Sequence, residues 1–490
     1  MIELAIELKA DAGSCLYRQI YEYIKQEIRT GKLQRNERLP STRSLAEHLQ
    51  VARSTVDAAY SQLLAEGYIE SRPYRGYFVC SIDNVLDLTE TGNTAGRRAD
   101  RIPDRGLGDS VMAQKGKESE KQQKIIYDFS PYAISMKDFP FATWKKITKD
   151  ILVDANSEMF ALGDAQGDYE LRRTIGRYLH SARGVNCEPE QIIVGAGHDY
   201  LLMLLEKILG RQRTVAMENP TYLRAYRMFC SFHYGIELLP MDENGMREDA
   251  LFASGADIAY VMPSHQYPTG VVMPIGRRLE LLRWAEQNAD RYLIEDDYDS
   301  EFRYKGKPIP ALQASDRNGK VIYMGTFSKS IAPAIRVAYM VLPQALLKQY
   351  KELFAFHAST VSRIDQRILN EFIADGYFER YLNKMRKIYK EKHDYLLEEM
   401  KEFEHAFLFS GENAGLHILL TSKKNVTAKE LIRAAEDVGI KAYGIAEASS
   451  EQGALNKQYQ STVILGYGAL QKDDINRGIA LLKEAWKEYL

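Results

Sequence analysis

Two short stretches of the chain hold residues that could do chemistry. In Tyr323-Met-Gly-Thr-Phe-Ser-Lys329-Ser-Ile-Ala-Pro-Ala-Ile-Arg336, a lysine follows an apolar strand, sits in a hydroxyl-rich turn and precedes an arginine. A lysine is normally solvated, but in a dry pocket its amine becomes a competent nucleophile and can form a Schiff base with an aldehyde cofactor such as pyridoxal phosphate. Thr326 and Ser328 supply hydroxyls, and Arg336 supplies a fork for a phosphate. The second stretch, Ile294-Glu-Asp296-Asp297-Tyr298, ends another apolar run in carboxylates. A carboxylate buried at a strand end is costly without a cationic partner. The protonated pyridine nitrogen of pyridoxal phosphate is such a partner, in a charge-assisted bond of about 1.5–3 kcal/mol, and Asp296 is assigned to it. Tyr298 then reaches the phenolic oxygen of the cofactor.

The elements that must position these residues are legible as an alternation. Beyond Tyr127, short apolar runs (Gln191–Val194, Thr214–Met217, Ile258–Met262, Tyr292–Ile294, Val321–Met324 and Val337–Val341) alternate with helical patterns. That order predicts a mostly parallel sheet with helices on both faces, an α/β domain whose ligand sits outside the carboxyl ends of its strands. Gly195-Ala-Gly197-His198-Asp199 follows the first strand and opens a helix, where free amides could hold a phosphate or the glycines could simply make a tight turn. Glu218-Asn-Pro-Thr-Tyr222-Leu-Arg224 and Pro263-Ser-His265-Gln-Tyr267-Pro-Thr-Gly270 follow two more strands. A helical region from Gln344 to about Phe403 leads to a smaller C-terminal α/β unit, so the small subdomain is expected over about 345–490.

The lysine segment resembles class I aminotransferases, and its Thr-Phe-Ser-Lys-Ser form is similar to the MocR family, in which a GntR-type DNA-binding region is fused to an aminotransferase-like domain. The resemblance covers almost the whole chain apart from residues 81–125. It implies a fold-type I, pyridoxal phosphate-binding domain over 126–490, with Lys329 as the Schiff-base residue. By the same resemblance the phosphate cup maps onto Gly197 and His198, Tyr222 stacks on or borders the cofactor ring, and Arg224 points into an effector pocket. Pro263–Gly270 looks like the Asn-Pro-Thr-Gly turn of class I aminotransferases, with Tyr267 in place of the asparagine. In those enzymes the strand resembling Val463–Tyr467 carries an arginine that clamps the substrate carboxylate, and here it has Ile464 and Leu465. Both departures favour a sensor over an enzyme.

The first eighty residues read as a second unit. Ile20, Ile24 and Ile28 repeat at helical spacing up to Gly31, Ser41 can cap a short helix carrying Leu45 and Leu49, and Arg53–Leu64 forms a further helix after a brief turn. Two short helices so joined make a helix-turn-helix, and Ile69–Val79 alternates around a Pro/Gly turn as a β-hairpin wing with two arginines, Arg72 and Arg75, at its tip. From Arg29 to Cys80 there are eight basic against five acidic residues, in a chain of net charge −2. Any DNA-binding surface must therefore be local. The pattern is similar to the GntR winged helix over residues 12 to 80, which implies that Arg43, Arg53, Thr55 and Arg75 contact phosphates or base edges of a double-stranded operator. Ala52 stands where that family usually has a serine, and Asn36 where a glycine is usual.

At 490 residues and 45% hydrophobic the chain can bury more than one core. Residues 81–125 are polar and small-residue-rich and are expected to be a flexible linker between the domain at 1–80 and the domain at 126–490. Four cysteines lie without metal spacing, no metal site is expected, and no apolar run approaches membrane-spanning length. The reading is a cytoplasmic transcriptional regulator, a head-to-tail homodimer whose aminotransferase-like domain senses a small amine, an amino acid or the cofactor itself through Lys329. The alternative is a working aminotransferase that also binds DNA.

Overall fold

The computed structural model describes residues 6, 15–72, 75–80, 125–304, 309–354, 356–411, 414–424, 426–445 and 457–490. The linker expected over 81–125 lies outside the described residues as far as 124.

The head is built as its periodicity requires. Helix α1 (Leu16–Arg29) buries Ile20, Tyr21, Ile24 and Ile28. Helix α2 (Thr42–Leu49) starts at Ser41, whose hydroxyl accepts from the Ser44 amide at 3.1 Å. Helix α3 (Arg53–Glu66) buries Val56, Ala59, Tyr60 and Leu63 against them, and the Tyr60 hydroxyl donates to Pro40 O at 2.9 Å, fixing α3 across the start of α2. Strands β1 (Ile69–Arg72) and β2 (Gly76–Val79) pair antiparallel as the wing. Among the described residues of the head, Glu66 is the one buried charged group, 5% exposed; it accepts from the Tyr21 hydroxyl at 2.7 Å and from Lys25 at 3.0 Å, which offsets its burial.

Strand β3 (Tyr127–Asp128) opens the second unit. The large sheet contains β4 (Ile192–Gly195), β5 (Thr214–Asn219), β6 (Gly235–Asp242), β7 (Gly245–Met246), β8 (Ile258–Val261), β9 (Tyr292–Asp297), β10 (Val321–Thr326) and β11 (Ala338–Val341). Their order is β4-β11-β10-β9-β8-β5-β6-β7. The central pairs β10–β9, β9–β8, β8–β5 and β5–β6 are parallel, while β11 runs antiparallel to both its neighbours, β10 and the edge strand β4, and β7 is an antiparallel edge on β6. Alternate side chains enter different cores: Ile192 and Val194 pack on one face and Ile193 on the other, Tyr339 and Val341 on one and Met340 on the other. A sheet buried on both faces follows, as the near-continuous apolar runs predict.

The smaller unit has β12 (Phe407–Ser410), β13 (His417–Ser422), β14 (Ile440–Lys441), β15 (Tyr443–Gly444) and β16 (Thr462–Gly466). Four of these form an antiparallel sheet, β12-β13-β16-β15, while β14 pairs in parallel with β3. The segment just after the linker therefore belongs structurally to the small unit. The helical region expected from Gln344 to Phe403 comprises Gln344–Phe354, Arg363–Ala374 and Tyr377–Glu399, the last two separated at Gly376, whose φ of +72° ends the helical path. Among the described residues no helix is long and apolar enough to cross a membrane.

Ala52 occupies the N-cap of α3 with no side chain to hold the first-turn amides. Ala52→Ser is expected to stabilise α3 by about 1 kcal/mol, read as roughly fivefold slower hydrogen exchange of its amides in the full chain.

Candidate functional site

A cavity of about 640 Å³ opens at the carboxyl ends of the central strands, lined by residues that follow β5, β8, β9 and β10. Lys329 reaches it because Thr326, at the end of β10, caps a single helical turn (Phe327–Ser330); the Thr326 hydroxyl accepts from the Ser328 amide at 3.1 Å. The Lys329 amine donates to Pro131 O at 2.6 Å, and burial pushes its pKa down to about 8. Thr326 and Ser328 both line the same cavity.

Pleat alternation separates the two neighbouring aspartates on β9. Asp297 turns away from the cavity to a buried pairing with Arg183 at 2.8 Å and a bond from the Tyr323 hydroxyl. Asp296 turns toward it, 3% exposed, with its Oδ2 bonded by the Tyr260 hydroxyl and 3.3 Å from His198 Nε2. Burial raises the Asp296 pKa, and His198 opposes that rise. Its Oδ1 is buried with no hydrogen-bond partner, and so is Ser328 Oγ. Tyr298 lies at the same end of β9, with its hydroxyl 3.1 Å from His265 Nδ1, and His265 is itself 2.9 Å from Asp299.

The phosphate-cup residues converge as well. Gly197 caps the helix His198–Leu209, whose first-turn amides have no intrahelical acceptor. Its φ is +94°, and a Cβ there would stand 2.3 Å from an Arg336 guanidinium nitrogen, so only glycine lets the arginine close over this backbone. Arg336 is half exposed, 3.5 Å from Ala196 O and 3.3 Å from Asp199. Arg224, on the cavity rim, pairs with the same Asp199. Tyr222 borders the cavity edge-on to Tyr267, ring centres 6.0 Å apart.

A half-exposed arginine beside free helix amides, a buried carboxylate oxygen with no partner among the described residues and a lysine with a lowered pKa fit the phosphate, ring nitrogen and aldehyde of pyridoxal phosphate, respectively. Asp296, Tyr298, Gly197, His198, Tyr222, Thr326, Ser328, Lys329 and Arg336, the sequence-derived set, thus come together around one space. Arg224 reaches only its rim. Ile464 and Leu465 lie in the core of β16, at most 1% exposed, so that strand offers no charge to a ligand.

Other contributors had no signal in the sequence. Tyr132 joins the cavity wall from just after β3, and the Tyr267 hydroxyl donates to its hydroxyl at 2.7 Å. Asp199, quoted above only as part of a helix start, ties two arginines together. His417 is buried 3.0 Å from Pro268 O, its pKa pushed down to about 3 by burial and by neighbouring His265.

In the head, Arg43 and Arg53 are exposed and each is paired only with an acid one turn on, at 3.0 and 3.5 Å. Thr55 lies on the same first turn of α3 as Arg53, and Arg75 is exposed on the wing. Arg72, expected beside Arg75 at the tip, instead bonds Glu70 and Asn36 and lies 4.4 Å over the Phe78 ring. Asn36 has φ +61°, the left-handed turn for which asparagine is a fair substitute for glycine.

Residues 132–447 match the family model described as aminotransferase class I and II, and residues 16–79 match that of bacterial regulatory proteins, gntR family. The chain is 38% identical over 476 residues to an uncharacterised HTH-type transcriptional regulator, YdeL, of Bacillus subtilis, covering 96% of this chain and 97% of that one. It is 32% identical over 487 residues to the probable rhizopine catabolism regulatory protein MocR of Rhizobium meliloti, covering 98% and 95%. Among solved structures, a kynurenine aminotransferase of Pyrococcus horikoshii superposes with a TM-score of 0.66 at 26% identity, over 75% of this chain and 92% of that one.

Only the neutral amine is nucleophilic, so with a pKa of about 8 the reactive fraction of Lys329 falls about tenfold per pH unit below that value. Capture of added pyridoxal 5′-phosphate by cofactor-free protein should accelerate from pH 6 to 8 and then level off, whereas a lysine of ordinary pKa would keep accelerating to pH 10. Gly197→Ala should weaken that capture by about tenfold or more, through left-handed strain and displacement of Arg336, as measured by equilibrium titration.

Proposed function

Since this chain belongs to the MocR family, transcriptional regulators that join a gntR-type DNA-binding region to an aminotransferase-like domain, we propose that it regulates transcription by holding pyridoxal 5′-phosphate on Lys329 and sensing an amino compound there. The observation that carries this reading is the convergence of Lys329, Asp296 and the Gly197–Arg336 cradle on one cavity, in a chain whose other end is a winged helix. When bound, the cofactor supplies an aldehyde for which Lys329 and an incoming amine compete, and a protonated ring nitrogen that acts as an electron sink.

The protein's own groups set the outcome. Asp296 offers its free oxygen to the ring nitrogen, and Tyr260 fixes the other oxygen. Tyr298, oriented by His265 and Asp299, would meet the phenolic oxygen. Thr326, Ser328, His198 and the free amides that follow Gly197 would hold the phosphate with Arg336, and Tyr222 would border the ring. Arg224 is the group placed to meet an effector carboxylate, at the expense of its bond to Asp199. With Ile464 and Leu465 in place of a buried clamp, a bound amino acid is held loosely, which costs the orientation that α-carbon proton transfer requires. Sensing rather than turnover follows.

On the DNA side, Arg43, Arg53 and Arg75 would meet phosphates and Thr55 the phosphate or base edges, as the exposed side chains of a winged helix do. A head-to-tail homodimer in the cytoplasm belongs to the same reading. Phe160 and Leu162 stand 72% and 89% exposed on the large unit, a surface that a second copy would cover, and two heads suit two half-sites.

Protein loaded with pyridoxal 5′-phosphate should show a visible absorption band that Lys329→Ala abolishes; a cofactor-supplied protein without the band would overturn the reading. One amine from a panel should shift the band persistently, whereas catalytic recovery on adding keto acids would identify a working aminotransferase instead. Arg43→Ala and Arg53→Ala should each lower affinity for duplex DNA and flatten its salt dependence by about one released counterion, measured by fluorescence titration across salt concentrations.

A further inference from the structure

A single loop runs from the ligand cavity to the DNA-binding head. After β8 the chain passes through Pro263 to Pro274 and enters the helix Ile275–Glu286. Near its start Tyr267 lines the cavity, bonded to Tyr132, and meets Tyr298 edge-on. The loop is braced internally, the Gln266 amide donating to Val271 O at 2.8 Å and the Gly270 amide to Gln266 O at 2.7 Å, and it is tied to the segment after β5 by Gln266 Nε2 donating to Pro220 O at 2.9 Å. Its base is closed by the Met273 amide on Pro263 O at 2.9 Å.

Arg278 locks that base. Its guanidinium is 2% exposed and donates to Pro263 O and Met273 O, both at 2.8 Å, and to Pro310 O at 2.6 Å. One side chain thus holds both ends of the loop to the large unit. A loop with crossed internal bonds and a clamped base moves as a body, so a shift at Tyr267 reaches Pro274 instead of being absorbed on the way.

Pro274 and Ile275 are where the head rests. Gly67, the left-handed C-cap of α3 at φ +75°, lies so close that a Cβ on it would stand 2.4 Å from Pro274 Cβ and 3.3 Å from the Ile275 amide nitrogen. The Ile275 side chain packs against the hydrophobic core of the head. Beside this point lies a cavity of about 580 Å³ bounded by Lys25, Arg29 and Tyr68 of the head and by Arg278 and Leu282 of the large unit. Close contact at one point with open space next to it makes a pivot, and the element on the pivot is α3, which carries Arg53 and Thr55.

We infer that the loop Pro263–Pro274, held by Arg278 as its positioning residue, links occupancy of the Lys329 cavity to the seating of α3 on Pro274 and Ile275. The inference rests on the reading that the cavity holds pyridoxal 5′-phosphate. It specifies where ligand binding is converted into movement of the head, and coupling of this kind is reciprocal between cavity and head.

Hydrogen exchange of the full chain, with and without pyridoxal 5′-phosphate, tests it. In the wild type, the cofactor should alter exchange both at 263–278 and at 60–69, the carboxyl end of α3. Gly67→Ala, which wedges the head off Pro274, and Ile275→Ala, which removes the side chain that enters the head core, should each keep the visible band and the change at 263–278 but lose the change at 60–69. Arg278→Lys, still a donor to carbonyls, should retain part of the difference at 60–69 that Arg278→Ala loses. A visible band with no change at 60–69 in the wild type, or a change there that survives both contact variants, overturns the inference alone. Absence of the band overturns the cofactor reading and this inference with it.

Discussion

The constraint on which the rest depends is the cost of burying charge at the end of β9. Four acids (Glu295, Asp296, Asp297 and Asp299) lie within five residues, and all are buried. An unpaired buried carboxylate is destabilising by several kcal/mol, so each needs its own solution. Glu295 accepts the amides of Leu312 and Gln313, Asp297 has Arg183 and the Tyr323 hydroxyl, and Asp299 has His265. Among the described residues Asp296 and Asp297 each keep one oxygen without a hydrogen-bond partner, but Asp297 lies against the Arg183 guanidinium whereas Asp296 lines the cavity. Of these two, Asp296 is the one that can offer its free oxygen to a cationic partner from outside.

The other half of the site obeys the same economy. Lys329 is partly buried, and that burial lowers its pKa to about 8, so its proton is held weakly. Arg336 and Arg224 share a single carboxylate, Asp199, leaving more donor capacity than acceptors at the mouth of the cavity. Negative charge is thus wanted at one end and positive charge at the other, a polarity that matches a phosphorylated pyridine.

How much of this could be read beforehand differs by kind of interaction. That Lys329 and Asp296 line one cavity was legible because strand ends in an open α/β sheet are where ligands sit and both follow local apolar runs, while Gly197 was picked out only through the resemblance. The head was legible for the same local reason: capping serine, helical spacing and alternating wing. What stayed hidden is tertiary. Nothing near Tyr132 in sequence points to Tyr267, and nothing in the Gly195–Asp199 turn says that Asp199 holds two arginines. The direction of Arg72 depended on Asn36 and Phe78 folding beneath it, so one of the two expected wing-tip arginines is turned to structure. The seating of Gly67 on Pro274 joins two units that share no local pattern at all.

That seating includes the Gly67 backbone against Pro274 and the Ile275 side chain against the head core. Head and large unit belong to one chain, so a contact between them forms without the loss of translational freedom that two separate proteins incur, and modest strength suffices to populate it. A weak contact so populated stands near balance, and an equilibrium near balance is the kind that a metabolite-sized ligand, with only about 1–3 kcal/mol of differential binding to spend, is able to tip.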